Sequence, residues 1–327
     1  MINSIKKFQH LIMLVLKTVV KFWNLIFFLL ALLFLLAFGL SNSDVLYEFS
    51  KNLNPIYLLL SFLSIFSGQI IASIIWHMIL QKMNIKSDLL FDIKSYIYSL
   101  LGSLIPGNVW SIASKISNYS NAKINENLIV TSSIIEAILI SCGSFIVFLF
   151  ANILGKIKII SFSITSYFLL LILIILLINP ITINFIIRKT ILRKKLNQLT
   201  LLPKLKIFEI AYLTLLESVV TFLGCLGIIL LIKSYYSLPE NLMLSIIAAV
   251  AISNVFGNLL FWLPGTLVLR DGFYLAILTM FLTNYESLTF TILQRVWLSL
   301  IIILSAFINW IVFEKIFHYQ QQSILPK

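Results

Sequence analysis

Apolar residues along this chain form long, nearly uninterrupted runs that short polar segments separate. A helix needs about 20 apolar residues to cross the ~30 Å hydrocarbon core of a bilayer. The pattern therefore predicts an all-α fold, a polytopic transmembrane helical bundle with about seven to nine membrane-embedded helices. The runs that predict helices are 23–40, 55–80, 89–105, 128–154, 159–178, 207–232, 242–263, 267–282 and 291–313.

Composition indicates one integral membrane domain over residues 1–327. Hydrophobic residues make up 60% of the chain and charged residues only 11%, whereas soluble domains carry about 25% charged residues. We divide the domain into a first half over about 23–178, a basic cytoplasmic loop over 184–206 and a second half over about 207–313. The first apolar run, 23–40, has 18 residues and exceeds a signal-peptide core, which predicts a retained helix.

The distribution of Lys and Arg predicts the orientation in the membrane. The net charge is +12, but the basic residues lie mostly in short loops, which is typical of orientation signals rather than of nucleic-acid binding. If residues 89–105 cross the bilayer, the basic loop 184–206 falls outside, against the positive-inside rule. If residues 89–127 enter and return to the same side, that loop and both termini are cytoplasmic. We therefore expect a re-entrant segment and a location in the cytoplasmic (inner) membrane.

Two Pro-Gly pairs predict the turns of re-entrant hairpins. Pro106-Gly107 and Pro264-Gly265 each follow an apolar run, and they lie 158 residues apart. Proline opposes helix continuation and glycine permits a sharp reversal. Such backbone survives at membrane depth only beside protein or a wet cavity. The spacing favours an inverted repeat whose broken helices form a transport site; the alternative is a chance pair, with ordinary spanning helices over 242–282.

Five ionisable residues fall inside the predicted membrane region: Glu136, Glu217, Arg270, Asp271 and Arg295. Each costs roughly 2.5–3.5 kcal/mol at mid-bilayer, so we expect these residues to pair or to face water. Arginine grips phosphate oxygens through two parallel hydrogen bonds, which makes Arg270 and Arg295 candidate ligands of an anionic lipid head group. The acids then hold the arginines or relay a proton. The alternative is that all five form internal ion pairs, or that Arg295 reaches the outer surface.

Polar groups at the hairpins complete the candidate substrate-binding set. Lys115 and Lys123 follow the first Pro-Gly pair. They either guide a lipid phosphate or form a basic interfacial face against anionic lipid, and the second interpretation is favoured. The remaining candidates lie at the turns themselves: Pro106, Gly107, Asn108, Pro264 and Gly265.

The sequence contains no recognisable catalytic or metal-binding motif. The three histidines, His10, His77 and His318, lie far apart, and we interpret His77 as an interfacial side chain. Cys142 and Cys225 lie in apolar runs and indicate neither a disulfide framework nor a thiolate metal site. We therefore predict no cofactor and no metal.

The Pro-Gly segments and the later arginine resemble the membrane region of lysylphosphatidylglycerol synthase, a flippase-like family. The segment 104–108 leads into a short polar helix through Lys115, as in that family, and Glu136 matches an acid early in the next helix. The segment 264–271 is similar to the family's Pro-Gly-Gly-x-Gly-x-Arg-Glu element, but Thr266 and Val268 or Leu267 stand in place of its second and third glycines, and aspartate replaces the glutamate. Arg295 matches an arginine in the final helix.

The resemblance implies translocation of a phospholipid or lipid-linked saccharide in cell-envelope or surface-polysaccharide biosynthesis. The chain is similar to a divergent, stand-alone member without the soluble aminoacyl-transfer domain, so lipid aminoacylation is not expected. Membrane lipids with anionic head groups are the expected partners, and envelope-biosynthesis enzymes are further candidates. A transporter is favoured over an enzyme, but two alternatives stay open. One is a polyisoprenyl-phosphate-dependent glycosyltransferase that uses Asp44, Glu48 or Glu136, and the other is a non-catalytic membrane partner of such an enzyme.

Overall fold

The computed structural model describes residues 53–105, 109–120, 122, 124–155, 206–259 and 266–324, with single positions 33, 40, 41, 47, 179 and 182. These residues form eight α-helices, and none of them lies in a strand, which confirms the all-α prediction. In chain order the helices are α1 (Pro55–Lys82), α2 (Leu89–Gly102), α3 (Val109–Ser120), α4 (Glu126–Gly155), α5 (Ile207–Lys233), α6 (Glu240–Leu259), α7 (Thr266–Leu278) and α8 (Asn284–Ile324).

Several predicted elements lie outside the described residues. They are the Pro-Gly turns with Pro106, Gly107, Asn108, Pro264 and Gly265, the apolar run 159–178, the basic loop 184–206 apart from its last residue, and the run 23–40 apart from two single positions.

Polar caps explain where the described helices begin. Asn54 and Asp88 accept hydrogen bonds from backbone amides at the starts of α1 and α2, at 3.0 and 3.1 Å. The last helix begins seven residues before the predicted position 291, because Thr283 and Glu286 form a capping box. The Thr283 amide donates a hydrogen bond to the Glu286 carboxylate at 3.0 Å, and the Glu286 amide donates one to the Thr283 hydroxyl at 3.3 Å. The Thr-x-x-Glu spacing was readable from the sequence.

The two halves of the described bundle repeat one order of elements. A long helix (α1 or α5) is followed by two packed helices (α2–α3 or α6–α7) and then by another long helix (α4 or α8). Each extensive helix contact within one described half has its counterpart in the other half. Between the halves, α4 packs on α6 as α8 packs on α2. The contacts therefore follow a two-fold relation in which α1 to α4 correspond to α5 to α8.

Two apolar clusters show that the halves run in opposite directions. One cluster joins the end of α1, the end of α3 and the start of α4, through Ile79, Tyr119 and Ile129. The other joins the end of α5 to the start of α8 through Ile232 and Phe290, and it also contains the end of α4. The α2–α3 pair thus leaves and returns at one end of the bundle, and the α6–α7 pair does so at the opposite end.

Helices α1 and α5 are each other's counterparts in the two halves, and they pack against each other in antiparallel orientation. Serine hydroxyls on α1 donate across the contact to α5 carbonyls, and a short ion pair closes one end. The contacts are Asn54 N to Ser234 O at 2.7 Å, Ser61 Oγ to Gly227 O at 2.7 Å, Ser64 Oγ to Leu223 O at 2.8 Å, and Lys82 Nζ to Glu209 Oε1 at 2.6 Å.

The helix pairs beside the Pro-Gly turns pack closely. A β-carbon added at Gly102 on α2 would lie 2.7 Å from the backbone carbonyl of Trp110 on α3, so only glycine permits this approach. In the second pair, a β-carbon at Gly257 on α6 would lie 3.1 Å from the Arg270 side chain on α7. The second approach places Arg270 directly against the α6 backbone.

Five of the described helices, α1, α4, α5, α6 and α8, are long and apolar enough to span a membrane. The chain is therefore a multi-pass membrane protein. Helices α2, α3 and α7 have 14, 12 and 13 residues, or about 18–21 Å of length, which is shorter than the hydrocarbon core.

Replacing Gly102 tests the close α2–α3 approach. We expect Gly102→Ala to lower the melting temperature in detergent, because the backbone it would touch must move, at a cost of about 1–3 kcal/mol. Gly272→Ala is the matched control, since a β-carbon there meets nothing within 4 Å. Equal melting temperatures for the two variants would contradict the packing described here.

Candidate functional site

A cavity of about 370 Å³ lies where the eight described helices meet. Each of these helices contributes at least one lining residue. Five ionisable side chains line the cavity: Lys115, Glu136, Glu217, Arg270 and Arg295. All five were singled out from the sequence, and the fold brings them to one place although they are spread over 181 positions (Lys115 to Arg295).

The first side of the cavity is built around Lys115. Its ammonium forms an ion pair with Glu136, and it lies 3.8 Å from the centre of the Trp76 ring and 4.7 Å from that of Tyr96. Lys115 is 4% exposed, so the interpretation of this residue as part of a basic interfacial face is wrong. Burial of the ammonium is offset by the carboxylate and by two ring faces, since cations are attracted to aromatic π-systems.

Glu217 on α5 is 2% exposed and lines the same cavity. Among the described residues it forms no ion pair within 4 Å, which differs from the alternative in which all five ionisable residues form internal ion pairs. The nearby charged groups that act on it are Glu136, which repels, and Lys115, which attracts. Two carboxyl groups therefore share one ammonium on this side of the cavity.

The second side of the cavity carries two arginines, Arg270 and Arg295, which contact Asp271 beside the cavity; Asp271 is not one of the lining residues. Asp271 accepts from Arg270 Nε at 3.4 Å through one oxygen, and Arg295 NH1 lies 3.5 Å from the other oxygen. Arg295 is 7% exposed, so it lies inside the bundle and not at the outer surface. Both distances are long for charge-assisted hydrogen bonds, which are usually 2.7–2.9 Å, and the two guanidinium groups share this one carboxylate.

The two ion pairs occupy corresponding places in the two halves, with opposite charge order. Lys115 is the seventh residue of α3 and Asp271 the sixth of α7. Their partners, Glu136 and Arg295, are the eleventh residue of α4 and the twelfth of α8. In the first half the cation lies on the short helix, whereas in the second half the acid does. The cavity therefore has an acid-rich side and an arginine-rich side.

Uncharged polar atoms also face the cavity. Gln69 Oε1, Ser133 Oγ and Gln294 Oε1 are buried and have no hydrogen-bond partner among the described residues. An unpaired buried polar atom costs about 1–3 kcal/mol, so these atoms indicate that the cavity holds water or a polar ligand. Asn254 and Asn258 extend this polar lining along α6.

A buried hydrogen-bond network lies beside the acid-rich side and was not predicted from the sequence. Asp92, which is fully buried, lies 2.5 Å from His77 Nδ1 and accepts from the Tyr119 hydroxyl at 2.6 Å. Trp76 Nε1 donates to the same hydroxyl at 2.9 Å. His77 is therefore paired with a buried acid, unlike the free interfacial side chain that we expected. The sequence gives little sign of Asp92, because it follows the capping residue Asp88 and resembles an ordinary first-turn acid.

The chain matches no protein-family profile, and neither a curated protein nor a solved structure is significantly similar to it.

Breaking the Lys115–Glu136 pair should destabilise the bundle. We expect Lys115→Met to cost roughly 3–5 kcal/mol, because Glu136 is left without its cation. Adding Glu136→Gln to that variant should recover much of the loss. The same exchanges at the exposed Lys82–Glu209 pair should change the stability far less, because solvent screens an exposed ion pair. Chemical unfolding in detergent measures all four variants, and a similar cost at both pairs would contradict the structural role assigned to Lys115.

Proposed function

We propose that this protein moves a lipid with a phosphate-containing head group across the cytoplasmic membrane. The observation that carries the proposal is the arginine-rich side of an intramembrane cavity, where two guanidinium groups share one carboxylate. An incoming phosphate can accept hydrogen bonds from the two arginines, which contact Asp271 only at 3.4 and 3.5 Å. The proposal agrees with the resemblance of the chain to the flippase-like family.

The size of the cavity supports a head group as its occupant. A volume of about 370 Å³ lies at the lower end of the 300–1,000 Å³ found for small-molecule sites. Such a volume suits a phosphate with its substituent and leaves the acyl or isoprenyl chains in the bilayer. A phospholipid and a lipid-linked saccharide share this phosphate chemistry, and the context we propose is envelope or surface-polysaccharide biosynthesis.

The opposite direction of the two halves supports alternating access. Helix pairs α2–α3 and α6–α7 act in this proposal as re-entrant hairpins that enter from opposite faces and meet at the cavity. In transporters with inverted repeats, one half rocks against the other around a site near the midplane. The corresponding ion pairs lie where the short helices meet the long helices α4 and α8, which is where such a movement would be controlled.

Substituting the arginines tests the head-group site. A hydrogen bond to a charged group contributes about 1.5–3 kcal/mol, or roughly 10- to 100-fold, so Arg270→Gln and Arg295→Gln should each slow translocation by at least about tenfold. The assay follows fluorescent phospholipids in proteoliposomes. Lys233→Gln is the control, because it also removes one positive charge but lies at the end of α5, away from the cavity. Wild-type rates for both arginine variants would show that the site assignment is wrong.

Labelling of single cysteines tests the re-entrant hairpins. Lys86→Cys and Asn125→Cys flank the first helix pair, and Ser237→Cys and Asn284→Cys flank the second; all four positions are exposed. We expect a membrane-impermeant maleimide to modify the first two from the cytoplasmic side and the last two from the other side. The native cysteines, Cys142 and Cys225, are buried and should stay unmodified. Labelling of Lys86→Cys and Asn125→Cys from different sides would contradict the topology.

A further inference from the structure

Two charges in the cavity remain after the corresponding ion pairs are set aside. Lys115 pairs with Glu136, and Asp271 pairs with Arg295. Arg270 is then the excess cation on the arginine-rich side, although it shares Asp271, and Glu217 is the excess acid on the other side. These two residues do not lie within ion-pairing distance of each other. An anionic head group at the arginines compensates the positive charge of Arg270 and leaves the negative charge of Glu217 uncompensated.

Glu217 also departs from the two-fold relation between the halves. It is the eleventh residue of α5, and the eleventh residue of α1 is the apolar Ile65, which lines the same cavity. The ion pairs keep their places in both halves, whereas this carboxyl has no ionisable counterpart. A buried carboxylate without an ion pair of its own costs several kcal/mol, so helix packing alone does not explain a glutamate at this position of α5.

We propose that Glu217 binds a proton together with the anionic head group, so that the proton and the anion cross the membrane in the same step. This inference rests on the proposed function and adds the energy source. The Glu217 carboxylate takes a proton from one side to become a neutral carboxylic acid and returns that proton to the other side. One negative charge at the arginines and one positive charge at Glu217 leave the net charge of the cavity unchanged.

The surroundings of Glu217 favour a change of protonation. Helix α4 presents Glu136 to the cavity, α3 presents Lys115, α7 presents Arg270 and α8 presents Arg295, whereas α1 and α6 present only uncharged residues and α2 presents Tyr96. Repulsion between two carboxylates that share one ammonium favours protonation of one of them. An approaching anion strengthens that tendency, because it reduces the positive potential of the arginines. Proton and anion therefore assist each other in binding.

The hydrogen-bond network around Asp92 supplies a route for the proton. His77 has a side chain that is 13% exposed, and it contacts Asp92, which in turn contacts the Tyr119 hydroxyl. Tyr119 lies four residues after Lys115 on α3, and such residues are neighbours on one helix face. Titratable groups thus lead from the end of α1 to the Lys115–Glu136 pair. Among the described residues no group of three or more His, Cys, Asp or Glu side chains could hold a metal ion.

A transport experiment tests the coupling. Proteoliposomes carry fluorescent anionic phospholipid under an imposed pH gradient, with an equal sodium gradient as the second arm. We expect the pH gradient to accelerate wild-type translocation at least about threefold and the sodium gradient to leave it unchanged. Glu217→Gln, which mimics the protonated carboxyl, should lose the response to the pH gradient, whatever rate it retains without a gradient. Glu209→Gln, an exposed carboxyl on the same helix, is the matched control.

An infrared measurement separates this inference from the proposed function. The difference spectrum between acidic and alkaline buffer should contain the carbonyl stretch of a buried carboxylic acid in the wild type and in Glu209→Gln. Glu217→Gln should lack it, whether or not any lipid moves. Persistence of that band in Glu217→Gln, an unchanged pH response of this variant, or acceleration by sodium would each overturn the proposal. Loss of the band without lipid movement would support the proton site and refute lipid translocation.

Discussion

Charge compensation in a low-dielectric interior is the constraint on which the rest of this structure depends. An ionised group inside a bilayer must be paired, solvated or neutralised, because a few such groups together cost as much free energy as the stability of a whole domain. Lys115 satisfies this constraint with one carboxylate and two aromatic rings. Arg270 and Arg295 share Asp271 at 3.4 and 3.5 Å. The first arrangement is a closed structural ion pair, whereas the second is the place where we propose that a head group binds.

The arrangement of two opposed halves decides where the compensated charges lie. Each half places one ionisable residue of a short helix against one of a long helix, so the two pairs meet across the cavity. Reversal of the charge order prevents the halves from presenting the same surface to a ligand. A symmetric scaffold thereby encloses an electrically asymmetric chamber, and Glu217 increases that asymmetry.

The sequence predicted much of the fold and the members of the site, but not their pairing. Apolar runs locate most of the described helices, because their length is set by the bilayer, and Glu136, Arg270 and Arg295 stand out because charge is costly there. Lys115 was misplaced, since its burial depends on how α3 packs against Trp76. Asp92 was missed for a similar reason: its partner His77 lies 15 residues earlier, and only the turn between α1 and α2 brings them together.

The antiparallel contact of α1 with α5 has a consequence for the origin of the fold. Because α1 and α5 correspond to each other and pack antiparallel, a chain of half this length could form a similar contact with a second copy inserted upside down. Such an ancestor would have needed weak orientation signals, so that both insertions occurred. Fusion of two copies fixes one direction for each half, and each half is then free to evolve its own charges. Glu217 on α5, whose counterpart on α1 is Ile65, is a divergence of this kind.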